Sequence, residues 1–291
     1  MTSDDPIAWL NGEFLPRGEA RISPMDRGFL FGDSIYEVIP VYQGVPFRLD
    51  EHLDRLKRSL DAISLPEPHS REEWKTMLSG LIEHNGGGNL AVYLQISRGV
   101  APKRDHAFPD PAVEPTVFAT TSPVEPPAAD HPDRAEGVAV ITLDDIRWSR
   151  CDIKTTALLA NVLLRQQAAR EGAVEAVLLR DGFATEGAAS NLFIVRDGRV
   201  VTPPNSHLIL PGITRDLVVE LCREHELPVE EREISEAELR EADEIWLTSS
   251  TREVVPVTRL NARAVGDGQP GPLWKTLARH YVNFKRKLCG L

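Results

Sequence analysis

The chain has 291 residues, 33 Lys and Arg against 44 Asp and Glu, a formal net charge of −11, and 42% hydrophobic residues. This length and apolar content suit about two packed domains and exclude wholesale disorder. The acidic balance argues against nucleic acid or an anionic membrane surface as a partner, since both are held through clustered Lys and Arg.

In chain order, Ala8–Phe14 reads as a hairpin around Asn11-Gly12. Ser34–Val41 is strand-like and turns at Gln43-Gly44 into Val45–Leu49. Asp50 is the expected cap of a helix carrying Leu53, Leu56, Leu60 and Ile63, and Ser70 with Glu73 opens a second helix that ends at Gly86-Gly87-Gly88. Strands are expected at Leu90–Ser97 and Thr116–Thr121. Ser122–Arg134 holds four prolines in thirteen residues and reads as a linker (122–134) between a smaller N-terminal domain (1–121) and a larger C-terminal one (135–291). The latter begins with a strand at Gly137–Leu143 and an apolar helix at Thr156–Glu171. Strands turning at Asp181-Gly182 and Asp197-Gly198 follow, then a helix at Ile213–Glu226 and a short one capped by Ser235. Strands at Glu244–Thr248 and Val254–Val257 and a basic helix from about Pro272 to Lys287 complete it. Hairpins mixed with helices indicate an α+β fold.

Residues 1–5 lack the basic and apolar regions of a secretory signal, and no stretch approaches the ~20 apolar residues of a membrane span. Cys151, Cys222 and Cys289 are odd in number and far apart, and the eight histidines show no paired ligand spacing, so neither disulfides nor a metal is expected. A reduced, cytoplasmic protein is the expectation.

Three stretches carry chemistry. Lys154 ends an extended, half-apolar segment just before an apolar helix, where desolvation would make its amine nucleophilic; by itself it reads as a solvated surface lysine. Glu186 is followed by Gly187-Ala188-Ala189, small residues that let a flat ring approach while the carboxylate holds a ring N–H; alone, it reads as a turn residue. Pro211-Gly212-Ile213-Thr214 leads into a helix whose free N–H groups suit an anion, and Ser249-Ser250 follows a strand with hydroxyl donors.

These stretches, together with Asp26-Arg27-Gly28-Phe29 through Val38 and Glu51–Leu56, occur in the order and spacing seen in fold type IV pyridoxal-phosphate enzymes. From about Trp9 to Val257 the chain resembles that family. The resemblance implies a two-domain α+β fold, pyridoxal 5′-phosphate as cofactor, and Lys154 as the catalytic Schiff-base lysine. It also implies Glu186 on the pyridinium nitrogen, and Arg55, Ile213, Thr214 and Ser250 on the phosphate. Without it, Arg55 would read as a helix-surface partner of Glu51. Tyr36 would line the substrate site.

Within the family, Tyr93–Pro109 is similar to the D-amino-acid aminotransferase branch, where an Arg-x-His pair, here Arg104 and His106, binds the substrate carboxylate. That similarity implies ping-pong transamination of D-alanine and 2-oxoglutarate to pyruvate and D-glutamate. It also implies a homodimer in which the Arg104–His106 loop reaches the neighbouring site. Branched-chain L-amino-acid aminotransferase is the alternative, with aminodeoxychorismate lyase and R-selective amine transaminase behind it. Two departures stand out: Lys103 is an extra residue before the Arg-x-His pair, and Ala188 and Ala189 replace serines.

Overall fold

Asn11 and Gly12 both adopt positive φ (48° and 105°), the mirror-image turn that matches strand twist, and they join β1 (Ile7–Leu10) to β2 (Glu13–Pro16). This hairpin starts the first of two compact units in the computed structural model, which describes residues 5–290. One unit runs to Glu125 and includes Ile153–Ala157; the other comprises Pro126–Asp152 and the chain from Leu158 onward.

In the first unit α1 (Arg27–Phe31) is capped by the Asp26 carboxylate, which accepts from the Gly28 N–H, and it stops at left-handed Gly32. Next come β3 (Ser34–Tyr42), β4 (Val45–Pro46), α2 (Leu49–Ala62), α3 (Arg71–His84), β5 (Leu90–Ser97) and β6 (Thr116–Pro123). All pairings are antiparallel, in the order β2-β1-β6-β5-β3-β4. Alternation sends Ile35 and Ile39 of β3 to one face, where they join Leu53, Leu56 and Leu60 of α2 and Trp74 and Leu78 of α3 in one core. The opposite face carries Ser34 and Tyr36, with Tyr93 and Gln95 of β5.

Two helix starts differ from the sequence expectation. Helix α2 is capped by Arg48 in the left-handed region, so Asp50 sits in its first turn, where a carboxylate favours the helix dipole. Helix α4 (Leu159–Arg170) starts three residues later than the apolar run. Thr155 and Thr156 are kept extended because Thr155 bridges to Ile35 and the Thr156 N–H donates to the Ser34 carbonyl.

The second unit is built on a ten-stranded mixed sheet. Its strands are β7 (Val138–Asp144), β8 (Glu175–Arg180), β9 (Phe183–Gly187), β10 (Asn191–Arg196), β11 (Arg199–Thr202), β12 (Val229–Glu231), β13 (Ile234–Ser235), β14 (Glu244–Ser249), β15 (Glu253–Leu260) and β16 (Arg263–Ala264). Their order is β12-β11-β10-β14-β15-β7-β8-β9-β13, with β16 on β15; β7 is parallel to both β15 and β8. Helices α5 (Ile213–Glu224), α6 (Glu236–Arg240) and α7 (Pro272–Leu288) complete it. Buried Glu244 caps α7 by accepting from the Leu273 and Trp274 N–H groups, both at 2.9 Å. Among the described residues no helix is long and apolar enough to cross a membrane.

Leu56 is fully buried beside the two α2 residues that meet Glu37, so Leu56→Ala is expected to cost about 2–5 kcal/mol. The measurement is the fall in the urea unfolding midpoint, with an unchanged slope.

Candidate active site

In the first unit Lys154 is placed by its backbone. Its carbonyl accepts from the Tyr36 N–H (2.9 Å) and its N–H donates to Ser59 Oγ (3.3 Å). The half-buried side chain lays Nζ over the Tyr36 ring, 4.1 Å from the centroid. Tyr36 in turn faces Tyr93 at 5.6 Å, and Tyr93 donates to Gln95. Burial first, then neighbouring Tyr36, pushes the Tyr93 hydroxyl up to about 12, so it stays a neutral donor.

On the other face of β3, Glu37 is buried against α2. Arg55 grips it bidentately (Nε to Oε1 and Nη2 to Oε2, both 2.8 Å), and His52 Nδ1 lies 2.8 Å from Oε2. Burial raises the Glu37 carboxyl, but Arg55 and His52 overcome it and hold the group far below the usual range. Burial lowers His52 against the pull of Glu37, and the charges of Arg55 and Lys154 lower it further. Glu51, the alternative helix-surface partner of Arg55, pairs with Arg48 at 2.9 Å. Glu37 and His52 lay inside the sequence motifs without a role; their signal was a pair of ionisable residues at strand and helix positions that must be buried.

Arg104 and His106 share another surface of this unit. Arg104 Cζ is 4.9 Å from the Phe31 ring centroid and the His106 ring 5.2 Å from it. Both side chains are exposed, and the Lys103 ammonium pairs with Asp105 at 3.0 Å.

In the second unit Glu186, on β9, is buried. Oε1 accepts from Arg147 Nη1, and Oε2 accepts from Asn191 Nδ2 and the Leu210 N–H, each at 3.0 Å. Arg147 also grips Asp145 through Nε and Nη2, both at 2.9 Å. Burial pushes the Glu186 carboxyl up to about 7; Arg147 and Leu210 oppose the rise and the Asp145 charge adds to it. Arg147 and Asn191 were missed from sequence, though both sit inside the stretches that carry Lys154 and Glu186.

Ile213 and Thr214 are buried at the start of α5, whose Gly212 cap supplies no side-chain bond to the first N–H groups. Ser250 is half-buried in the turn after β14. Before it, Thr248 Oγ1 is buried with no hydrogen-bond partner among the described residues; Thr248 pairs across strands with Asn191. Ala188 gives its N–H to Ala176 and its carbonyl to Asn161, while the Ser190 hydroxyl donates to Glu175. Lys154, Tyr36, Arg55, Arg104 and His106 thus fall in the first unit, and Glu186, Ile213, Thr214 and Ser250 in the second.

Comparison with known proteins identifies a family. The amino-transferase class IV family matches residues 34–260. The D-alanine aminotransferase of Bacillus licheniformis is 42% identical over 267 residues, covering 92% of this chain and 93% of its own length. That of Staphylococcus aureus strain MW2 is 40% identical, covering 95% and 96%. Among solved structures, the branched-chain aminotransferase of Thermoproteus uzoniensis superposes with a TM-score of 0.86 at 26% identity, covering 98% of this chain and 95% of that one. A fold IV transaminase of Curtobacterium pusillum gives 0.79 at 28%, covering 93% and 92%.

A carboxyl raised from 4.5 to about 7 on folding binds its proton more tightly in the native state. Its contribution to stability is therefore present below pH 4.5 and is lost as pH rises to about 7. Glu186→Gln, whatever its absolute stability, should lack this part of the slope, as read by urea unfolding of ligand-free protein from pH 4.5 to 8.

Proposed function

Since the chain belongs to the class IV aminotransferases, we propose that it transfers the amino group of D-amino acids. D-alanine and 2-oxoglutarate would give pyruvate and D-glutamate in two half-reactions, with pyridoxal 5′-phosphate as cofactor. The sequence relatives support the D-branch over the branched-chain reading, at 37–42% identity against 26–27% for the branched-chain structures. The observation that carries the substrate reading is the exposed Arg104–His106 pair on the Phe31 ring, a fork and an imidazole suited to a carboxylate.

The donor set fits the cofactor. A half-buried primary amine, a buried carboxylate among fixed donors, an uncapped helix start and the orphaned Thr248 hydroxyl match an aldehyde, a ring N–H and a phosphate. When bound, the cofactor supplies an electron sink for the pair left as the substrate Cα–H bond breaks. Lys154 Nζ would hold the aldehyde carbon and then, once released, carry the Cα proton. The Tyr36 ring under Nζ limits its swing. Glu186, kept in place by Arg147, Asn191 and Leu210, would hold the ring nitrogen protonated, and that cation would draw its carboxyl down from about 7. Arg55, its plane set by Glu37, would hold the phosphate with Ile213, Thr214 and Ser250. Arg104 and His106 would take the substrate carboxylate, with Tyr36 lining the site.

We also propose a homodimer. Leu159, Val162 and Leu163 are 73%, 59% and 55% exposed at i, i+3, i+4 spacing on α4, an apolar stripe that a second copy would cover. Three free cysteines, two of them buried, suit the reducing cytoplasm.

Cofactor-loaded protein mixed with D-alanine and no acceptor should change its visible absorbance and release one equivalent of pyruvate. L-leucine and an R-arylamine should do neither. Reaction with L-leucine alone would establish the branched-chain reading, with the amine alone the amine-transaminase reading, and pyruvate from aminodeoxychorismate the lyase. Lys154→Ala should abolish the D-alanine response. Arg104→Leu should raise KM for D-alanine by about 10- to 100-fold while sparing kcat.

A further inference from the structure

Arg27 lies in the first turn of α1 with its side chain buried, and its guanidinium divides between loop carbonyls and one carboxylate. Nη1 donates to the carbonyls of Asp105 (2.6 Å) and Ala107 (3.1 Å), and Nη2 to that of His106 (3.2 Å). Three consecutive carbonyls of the Arg104–His106 loop thus converge on one planar fork. Its Nε donates to Asp33 Oδ2 at 2.7 Å. The same oxygen accepts from Arg98 Nε at 2.8 Å, and Oδ1 accepts from Arg98 Nη2 at 3.1 Å.

Arg98 is itself fixed by the carbonyls of Ile63 and Ser64, and its guanidinium lies over the Phe108 ring, 3.6 Å from the centroid. Phe108 is 57% exposed, so this stacking fastens the far end of the loop from beneath. The two arginines and Asp33 also sit on paired backbone: the Arg27 N–H donates to Gly99, the Arg98 N–H to Asp33, and Asp26 bridges to Val100. The loop is therefore anchored through its main chain and its terminal aromatic. Its Arg104 and His106 side chains are left outward on Phe31.

From this geometry we propose that Asp33, Arg27 and Arg98 form a clamp that positions the Arg104–His106 pair and so sets affinity for the substrate carboxylate. The proposal rests on the carboxylate role given to that pair above. A buried guanidinium needs acceptors for its five N–H donors, and here three of them are successive carbonyls of one loop, which ties the shape of that turn to α1. The clamp also explains how Lys103 is accommodated: the extra residue is exposed on Asp105, upstream of the clamped carbonyls.

Arg27→Lys keeps the charge beside Asp33 but cannot span three carbonyls. In the holoenzyme it should raise KM for D-alanine and 2-oxoglutarate by about tenfold with kcat within twofold. Combined with Arg104→Leu, it should add nothing to the KM of that single variant, because Arg27 acts through Arg104. Phe108→Ala, an exposed change that preserves the fold, should give a smaller KM rise of the same kind. Amide exchange of residues 103–108 should quicken in both variants while β3 and β5 exchange as in wild type. Unchanged KM and exchange, a multiplied KM penalty in the double variant, or a loss of kcat alone would overturn the clamp. The exchange arm requires no turnover: a wild-type protein inert to D-alanine but with a loosened loop in Arg27→Lys would sink the substrate reading and leave the anchoring intact.

Discussion

Backbone pairing between β3 and the segment Ile153–Ala157 fixes the root of Lys154 before any side chain is considered. Tyr36 donates its N–H to the Lys154 carbonyl, Thr155 bridges Ile35, and the Thr155 hydroxyl donates to the Ser34 carbonyl at 2.9 Å. A side chain as flexible as lysine loses much rotamer entropy when confined. Here its root is immobilised by strand hydrogen bonds, and only the tip over Tyr36 remains to be positioned. The same pairing delays the start of α4 to Leu159, so the apolar run that reads as continuous helix is divided between a strand-like anchor and the helix proper.

Two buried carboxylates with arginine partners illustrate how neighbours decide ionisation. Glu37 receives the full bidentate fork of Arg55 and a third contact from His52, so it stays ionised despite complete burial. Glu186 shares Arg147 with Asp145, whose two oxygens take Nε and Nη2, and the negative charge of Asp145 then works against a second one. The outcome is a carboxyl raised to about 7. The first arrangement is a strut that orients an arginine; the second is a charge left short of cation, suited to a ligand that brings one.

Much of this was legible in sequence. Hairpin turns, capping boxes at Ser70 and Ser235, and the apolar period of α2 and α3 are local signals, and the structure follows them. The left-handed Arg48 cap was not legible, because no residue preference announces it. Nor was the pairing of Glu37 with Arg55 rather than Glu51 with Arg55: helix spacing reveals neighbours along one element, whereas a strand partner arrives through the fold. Arg27 shows the same limit, since its three carbonyl partners lie about eighty residues downstream.

Within the second unit one amide ties together two elements. Asn191 Nδ2 donates to Glu186 and to the Leu210 carbonyl (2.8 Å), while the Leu210 N–H donates back to Glu186. Its Oδ1 lies where a Cβ on Gly212 would collide with it, so a larger residue at the turn that opens α5 would displace the Asn191 amide. The Glu186 carboxylate and the Leu210 turn that precedes α5 thus share one set of hydrogen bonds through Asn191. A flat ligand with a cationic N–H at one end and an anion at the other would find both ends at a fixed separation. Asn191, which accepts no proton and carries no charge, thus sets where the Glu186 carboxylate and the Leu210 turn lie relative to each other.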